Sequence, residues 1–85
     1  MQYQANIYVT LKDSVLDPQG KTVTHALHAL HYDSVDDVRI GKYMEVRLEA
    51  DSHARAEELV RGMCGELLTN PVIEKYRFDL VEVKS

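Results

Sequence analysis

Four histidines pose the first chemical question of this sequence. His25, His28 and His31 recur every three residues, and His53 stands apart. Imidazoles three apart on a helix can share a metal ion. An i, i+3, i+6 series drifts around the axis, however, and no cysteine or carboxylate is placed to complete a site. The histidines therefore read as solvent-facing side chains. Cys64 could be a nucleophile only with a base and an oxyanion site beside it. Flanking an apolar stripe, it reads as a small buried hydrophobe. Asp36 and Asp37 cannot work as paired carboxylates, since neighbours in a strand point to opposite faces, and a solvated strand entrance accounts for them. Gly41-Lys42 lacks the upstream glycine and the following Ser or Thr of a phosphate-binding loop, and reads as a turn. Arg39, Lys42 and Arg47 form a compact basic group. It fits either cross-strand pairing with Asp37, Glu45 and Glu49 or the docking of an acidic partner surface. No catalytic constellation emerges.

The bulk numbers point the same way. A chain of 85 residues is one domain, spanning 1–85, with room for a single core but not for a deep enclosed active site as well. Hydrophobic residues make up 45% and charged residues 28%, which excludes a disordered tail and a membrane protein. The formal net charge of -4 argues against binding a phosphate backbone, so no nucleic acid partner is expected. One cysteine cannot form an internal disulfide or a cysteine-based zinc site. The N-terminus runs straight into an alternating strand without a secretion signal, and the expected location is cytoplasmic.

The elements follow from periodicity. From Tyr3 to Leu11, apolar Tyr3, Ala5, Ile7, Val9 and Leu11 alternate with Gln4, Asn6, Tyr8 and Thr10, a first strand. Asp17 can cap a helix whose first turn holds Pro18, and Gly20 weakens that turn slightly. Val23, Ala26, Leu27 and Leu30 form a stripe expected to face the core, with Lys21, His25 and His28 opposite. No glycine ends this helix, so His31 is expected to turn left-handed. Val35–Ala50 reads as a hairpin of two strands, with Ile40 opposite Met44 and Val38 opposite Val46 across a three-residue connection or bulge at Gly41. Asp51 or Ser52 starts a second helix with the stripe Ala56, Leu59, Val60, Met63 and Leu67; Leu68 lies off its edge. Gly62 and Gly65 fall on the far side. Asn70-Pro71 stops the helix. A last strand runs through Tyr76, Phe78 and Leu80, with Arg77 and Asp79 on its other face. Val81 and Val83 then break the alternation, which suggests a bulge or a strip pairing outside the monomer.

The order βαββαβ is the split βαβ plan: an α+β two-layer sandwich of the ferredoxin-like type, with a four-stranded antiparallel sheet and two helices on one face. Right-handed crossovers would put the first and third strands in the centre. The sheet's open face would carry Gln4, Asn6, Tyr8, Thr10, Arg39, Glu45, Arg47 and Arg77, either wetted or covered by a second copy.

Three segments read together carry a resemblance: VTLKDSVLDPQGKTV, VDDVRIGKYMEVRL and LLTNPVIEKYRF. With VLDPQG, VRIGK and NPVIE in order and at matching spacing, the chain resembles the PurS family, the small subunit of a three-chain phosphoribosylformylglycinamidine synthase. It departs from the family's pattern at His31, where a helix-ending glycine is usual, and at Gly65, where a charged residue is more frequent. The resemblance implies a noncatalytic subunit of a glutamine-dependent, ATP-dependent C–N ligase of purine biosynthesis. Such a subunit bridges the glutaminase and the large synthetase subunit so that ammonia passes between them. It implies a homodimer or tetramer with no cofactor of its own, ATP and Mg being bound by the large subunit. It also implies partner or dimer contacts through Asp17, Pro18, Gln19 and Gly20, through Arg39, Gly41 and Lys42, and through Asn70, Pro71, Val72, Ile73, Glu74 and Tyr76. The residues alone equally allow a ferredoxin-like small-molecule-binding regulatory domain, because the same plan serves unrelated functions. An acylphosphatase-like enzyme would need a glycine-rich anion loop with an arginine after the first strand, which Lys12-Asp13-Ser14 does not supply. RNA binding through Tyr8 and Tyr43 lacks both the aromatic motif and the positive charge.

Overall fold

The computed structural model describes residues 1–84. Its elements are β1 (Gln2–Leu11), α1 (Pro18–Ala29), β2 (Gly41–Glu49), α2 (His53–Met63) with a π-helical turn over Cys64–Leu68, and β3 (Glu74–Val83). The alternation of β1 does what a half-buried strand requires: Tyr3, Ala5, Ile7 and Val9 are buried, while the residues between them face the open side. β1 is the middle strand, with β2 and β3 antiparallel on its two sides. Ala5 faces Val46 and Leu80, and Ile7 faces Met44 and Phe78, so one face of all three strands is apolar. α2 lies across β1 and β3, closing the core with Ala56, Val60 and Cys64.

The sheet among the described residues has three strands, not the four expected, and β2 is an edge rather than a central strand. Residues 35–40 alternate like a strand but form a strap along α1. The Ile40 N–H goes to the Asp17 carboxylate at 3.0 Å, and the Val35 carbonyl meets His28 Nε2 at 2.7 Å. The Val38 carbonyl sits against Gly20, where a Cβ would collide with it. These bonds to α1 and its cap satisfy groups that a sheet ladder would otherwise have used. The expected hairpin pairs do not form, since Met44 and Val46 lie opposite Ile7 and Ala5. Gly41 is the first residue of β2, not a turn. Arg39, lying on the strap, is therefore absent from the open face of the sheet.

α1 begins as expected. Asp17 accepts the Gly20 N–H at 3.0 Å with Pro18 in the first turn, and His31 ends the helix at φ 73°. Its apolar stripe does not reach the core: Val23 is 37% and Leu30 66% exposed. α2 is capped by Ser52, which accepts the Arg55 N–H. Its stripe holds through Val60 and then slips by one residue. The π-turn inserts an extra residue per turn, so Cys64 and Leu68 face the core while Leu67 is 82% exposed. The Thr69 N–H and hydroxyl both close on the Cys64 carbonyl, at 3.1 and 2.7 Å. β3 pairs with β1 without a bulge to its end, leaving Val81 exposed on the open face.

Candidate functional site: a junction of three loops

Three segments far apart in the chain meet at one end of the sheet, where β1 ends and both β2 and β3 begin. Asp17 organises the junction. It is almost fully buried, and its carboxylate accepts the N–H of Gly20 from α1 and that of Ile40 from the strap. Those backbone donors, Ile40 first and then Gly20, hold its pKa below the usual carboxylate value. Arg39 reaches back over the loop after β1, donating to the Val15 and Lys12 carbonyls at 3.3 Å each, with Asp13 3.7 Å away. Asp13 also accepts from Lys75 at 3.0 Å, and this bond, followed by the lysine's charge, lowers its pKa.

The third segment is tied in by β1 and β2. Lys12 donates its N–H to the Ile73 carbonyl at 2.8 Å. Glu74 accepts the Asn70 N–H at 2.7 Å and faces Lys42 Nζ at 3.3 Å; the Asn70 bond first, and then Lys42, depress its pKa. The Asn70 side chain accepts the Val72 N–H, fixing the turn before β3. Asp17, Gln19, Ile40, Gly41, Lys42 and Glu74 line one shallow hollow of about 270 Å³. Beside it, Asp13, Leu16, Lys21, Asp37 and Arg39 line a second of about 330 Å³.

Most residues expected at an interface are thus brought together. Pro18, Asn70, Pro71 and Val72 form its exposed rim, with Val72 77% exposed. Tyr76 lies on β3 opposite Val9 and stacks on Phe78. The basic group does not act as a unit: Arg39 engages the loop after β1, Lys42 engages Glu74, and Arg47 reaches Gln4 on the open face at 3.3 Å. None of the three makes the expected pair with Asp37, Glu45 or Glu49 among the described ion pairs. The histidines are exposed, and no cluster of three potential metal ligands exists among the described residues. His28, expected to point to solvent, is exposed yet holds the strap. Cys64 is buried, and burial raises its thiol pKa.

The chemistry of the junction follows from these directions. A carboxyl that serves as a proton donor near neutral pH has its pKa raised, whereas Asp13, Asp17 and Glu74 are all pushed the other way. The junction offers fixed charges and exposed apolar side chains, which is equipment for contact. Sequence reasoning missed two features here. One is the Asp17–Ile40 bond, which nothing local announces. The other is the need for Gly20, for which a glycine inside a first helical turn was a usable sign of close backbone approach.

Comparison with known proteins follows the same residues. The family model described as PurS, phosphoribosylformylglycinamidine (FGAM) synthase, matches residues 4–82. The chain is similar to the phosphoribosylformylglycinamidine synthase subunit PurS of Bacillus subtilis, being 54% identical over 81 residues that cover 95% of each chain. Among solved structures, PurS of Thermus thermophilus superposes with a TM-score of 0.85 at 40% identity, covering 99% of this chain and 100% of that one. A chain in the structure of PurLQS from Thermotoga maritima gives a TM-score of 0.87 at 32% identity, over 95% of this chain and 99% of that one.

Proposed function

The chain belongs to the PurS family of phosphoribosylformylglycinamidine (FGAM) synthase subunits, and from that premise we propose that it is the small noncatalytic subunit of this enzyme in purine biosynthesis. Its work is to hold a glutaminase subunit and a large ATP-dependent synthetase subunit together. Ammonia released at the first must reach the second without meeting bulk water, where it would be protonated and lost, so the two catalysts need a fixed, closed junction. The observation that carries this reading is a family match over nearly the whole chain, joined to the likeness to a chain of the PurLQS assembly. The loop junction supports it by gathering fixed charges and exposed apolar side chains at one end of a rigid sheet.

The chain acts in the cytoplasm as a homodimer, or as a tetramer built from such dimers. It needs no cofactor of its own; ATP and Mg belong to the large subunit. Asp17, Gln19, Arg39, Lys42 and Glu74, with the rim at Asn70–Val72, form the contact surface for a partner subunit or a second copy. Reconstitution from the three purified chains tests the proposal. Glutamine-dependent turnover should require this chain, while turnover with an ammonium salt should depend on it far less. Equal glutamine-dependent rates with and without it would overturn the reading.

A further inference from the structure

One hollow of the surface differs from the others in its charge. Tyr8, Thr10, Lys75, Tyr76 and Arg77 line about 460 Å³ of space on the open face of the sheet, and none of the five is acidic. The two junction hollows and the one beside His25 and His28 all hold carboxylates. In a chain of net charge -4, two cations and a hydroxyl gathered without a carboxylate are not what composition alone would place together.

Strand pairing builds the place. Tyr8 of β1 lies opposite Arg77 of β3, and Thr10 lies opposite Lys75, so four side chains of one face mark the corners of a rectangle. Its sides are about 5 Å across the strands and roughly 7 Å along them. Tyr8 holds Arg77 in position: the guanidinium lies 4.0 Å over its ring, and Tyr43 backs that ring from β2 with centroids 5.1 Å apart. The N–H donors of Arg77 are left unspent, since Asp79 stands 3.8 Å away, beyond hydrogen-bond reach. Lys75 is engaged by Asp13 at 3.0 Å, a loop carboxylate 86% exposed that also has Arg39 within 3.7 Å. A pair this exposed holds weakly, and Asp13 keeps a cation when Lys75 turns away.

We propose that this hollow binds the phosphate group of a small phosphate monoester. Arg77 offers two N–H groups to two of its oxygens, Lys75 supplies the second positive charge, and the Thr10 hydroxyl donates beside them. A monoester phosphate carries close to two negative charges at neutral pH and so matches both cations, whereas a carboxylate matches one. A run of phosphates on a polymer would meet the net negative charge of the whole chain, but a single phosphate meets only the local pair. Such a site works in the chain by itself, with or without the bridging role.

Inorganic phosphate and glycerol phosphate, each titrated into isotope-labelled protein at an ionic strength held constant with chloride, test this through amide NMR shifts. Both should saturate below ~50 mM with shifts centred on Tyr8, Thr10, Lys75 and Arg77, and the ester should bind at least as tightly as the free ion. Arg77→Gln and Lys75→Gln, both at exposed positions, should each weaken binding at least about tenfold while the rest of the spectrum stays in place. Shifts that never saturate, saturation centred elsewhere, or an affinity within about twofold of the wild type in either variant would overturn the site. Saturation by inorganic phosphate without binding of the ester, an adventitious ion only, would overturn it as well.

Discussion

At the scale of single residues, Asp17 does the work of two. As a helix cap it needs only one acceptor oxygen, but its second oxygen holds Ile40 and thereby the strap. An Asn in its place keeps the shape and loses the charge, so Asp17→Asn should lower the melting temperature at pH 7 by about 5 °C. The sign of the pH dependence follows from the depressed pKa. Asp17 contributes stability that is fully present above its ordinary value of 3.8 and is lost as pH falls through the lower folded value. Melts of both proteins should therefore converge as pH drops below 3.8, and a gap that stays constant would contradict the role given to the charge. Lys42 is the opposite case. Its pair with Glu74 is exposed and adds little stability. Lys42→Glu should melt within about 3 °C of the wild type. Its recovery in a pull-down with the large subunit should fall about tenfold, the effect of losing roughly 1.4 kcal/mol at a contact. Unchanged recovery would remove Lys42 from the contact surface.

At the scale of elements, the sequence disclosed those set by local pattern and hid those set by distant bonds. β1, β3, both helix starts and the left-handed His31 were legible because alternation, caps and a missing glycine act within a few residues. Residues 35–40 were not, since Val38 and Ile40 alternate with Asp37 and Arg39 as a strand would. What decides the matter is that Asp17, His28 and Gly20 claim the strap's backbone. The core face of α2 was legible as far as Val60 and then failed, because one extra residue in the turn at Cys64–Leu68 exchanges Leu67 for Leu68. Truncation separates the two leucines: Leu68→Ala should cost about 2 kcal/mol and Leu67→Ala less than about 0.5, as measured by denaturant unfolding. The loop junction was legible as three motifs, but not as one place. The glycines test the same reasoning with opposite signs. Gly62 faces open space, and Gly62→Ala should stabilise by about 0.5 to 1 kcal/mol. Gly20→Ala gains the same helix propensity yet should destabilise, because its Cβ meets the Val38 carbonyl. If both changes stabilise, α1 and the strap are not packed as described.

At the scale of the molecule, α1 and the strap pack beside the sheet's end rather than on its core, and the homodimer proposed above would make stability a property of more than one chain. The body buries Tyr3, Ala5, Ile7, Val9, Ala50, Ala56, Val60 and Cys64, a small core for 85 residues; Met44 and Val46 pack against it half-buried, whereas Leu27 and Leu30 of α1 lie apart from it and gain burial only if something covers them. If that cover is a second copy, folding is coupled to association, and unfolding must follow mass action. The melting temperature should then rise with protein concentration, by a few degrees between about 1 and 100 µM. A chain that completed its core alone would melt at one temperature throughout. The same comparison on Leu30→Glu locates the coupling: if the exposed stripe of α1 is the surface covered on association, the variant should lose the concentration dependence while keeping the helices and sheet of its own body. A melting temperature independent of concentration in the wild-type protein would mean that the body is self-sufficient and would sever folding from self-association.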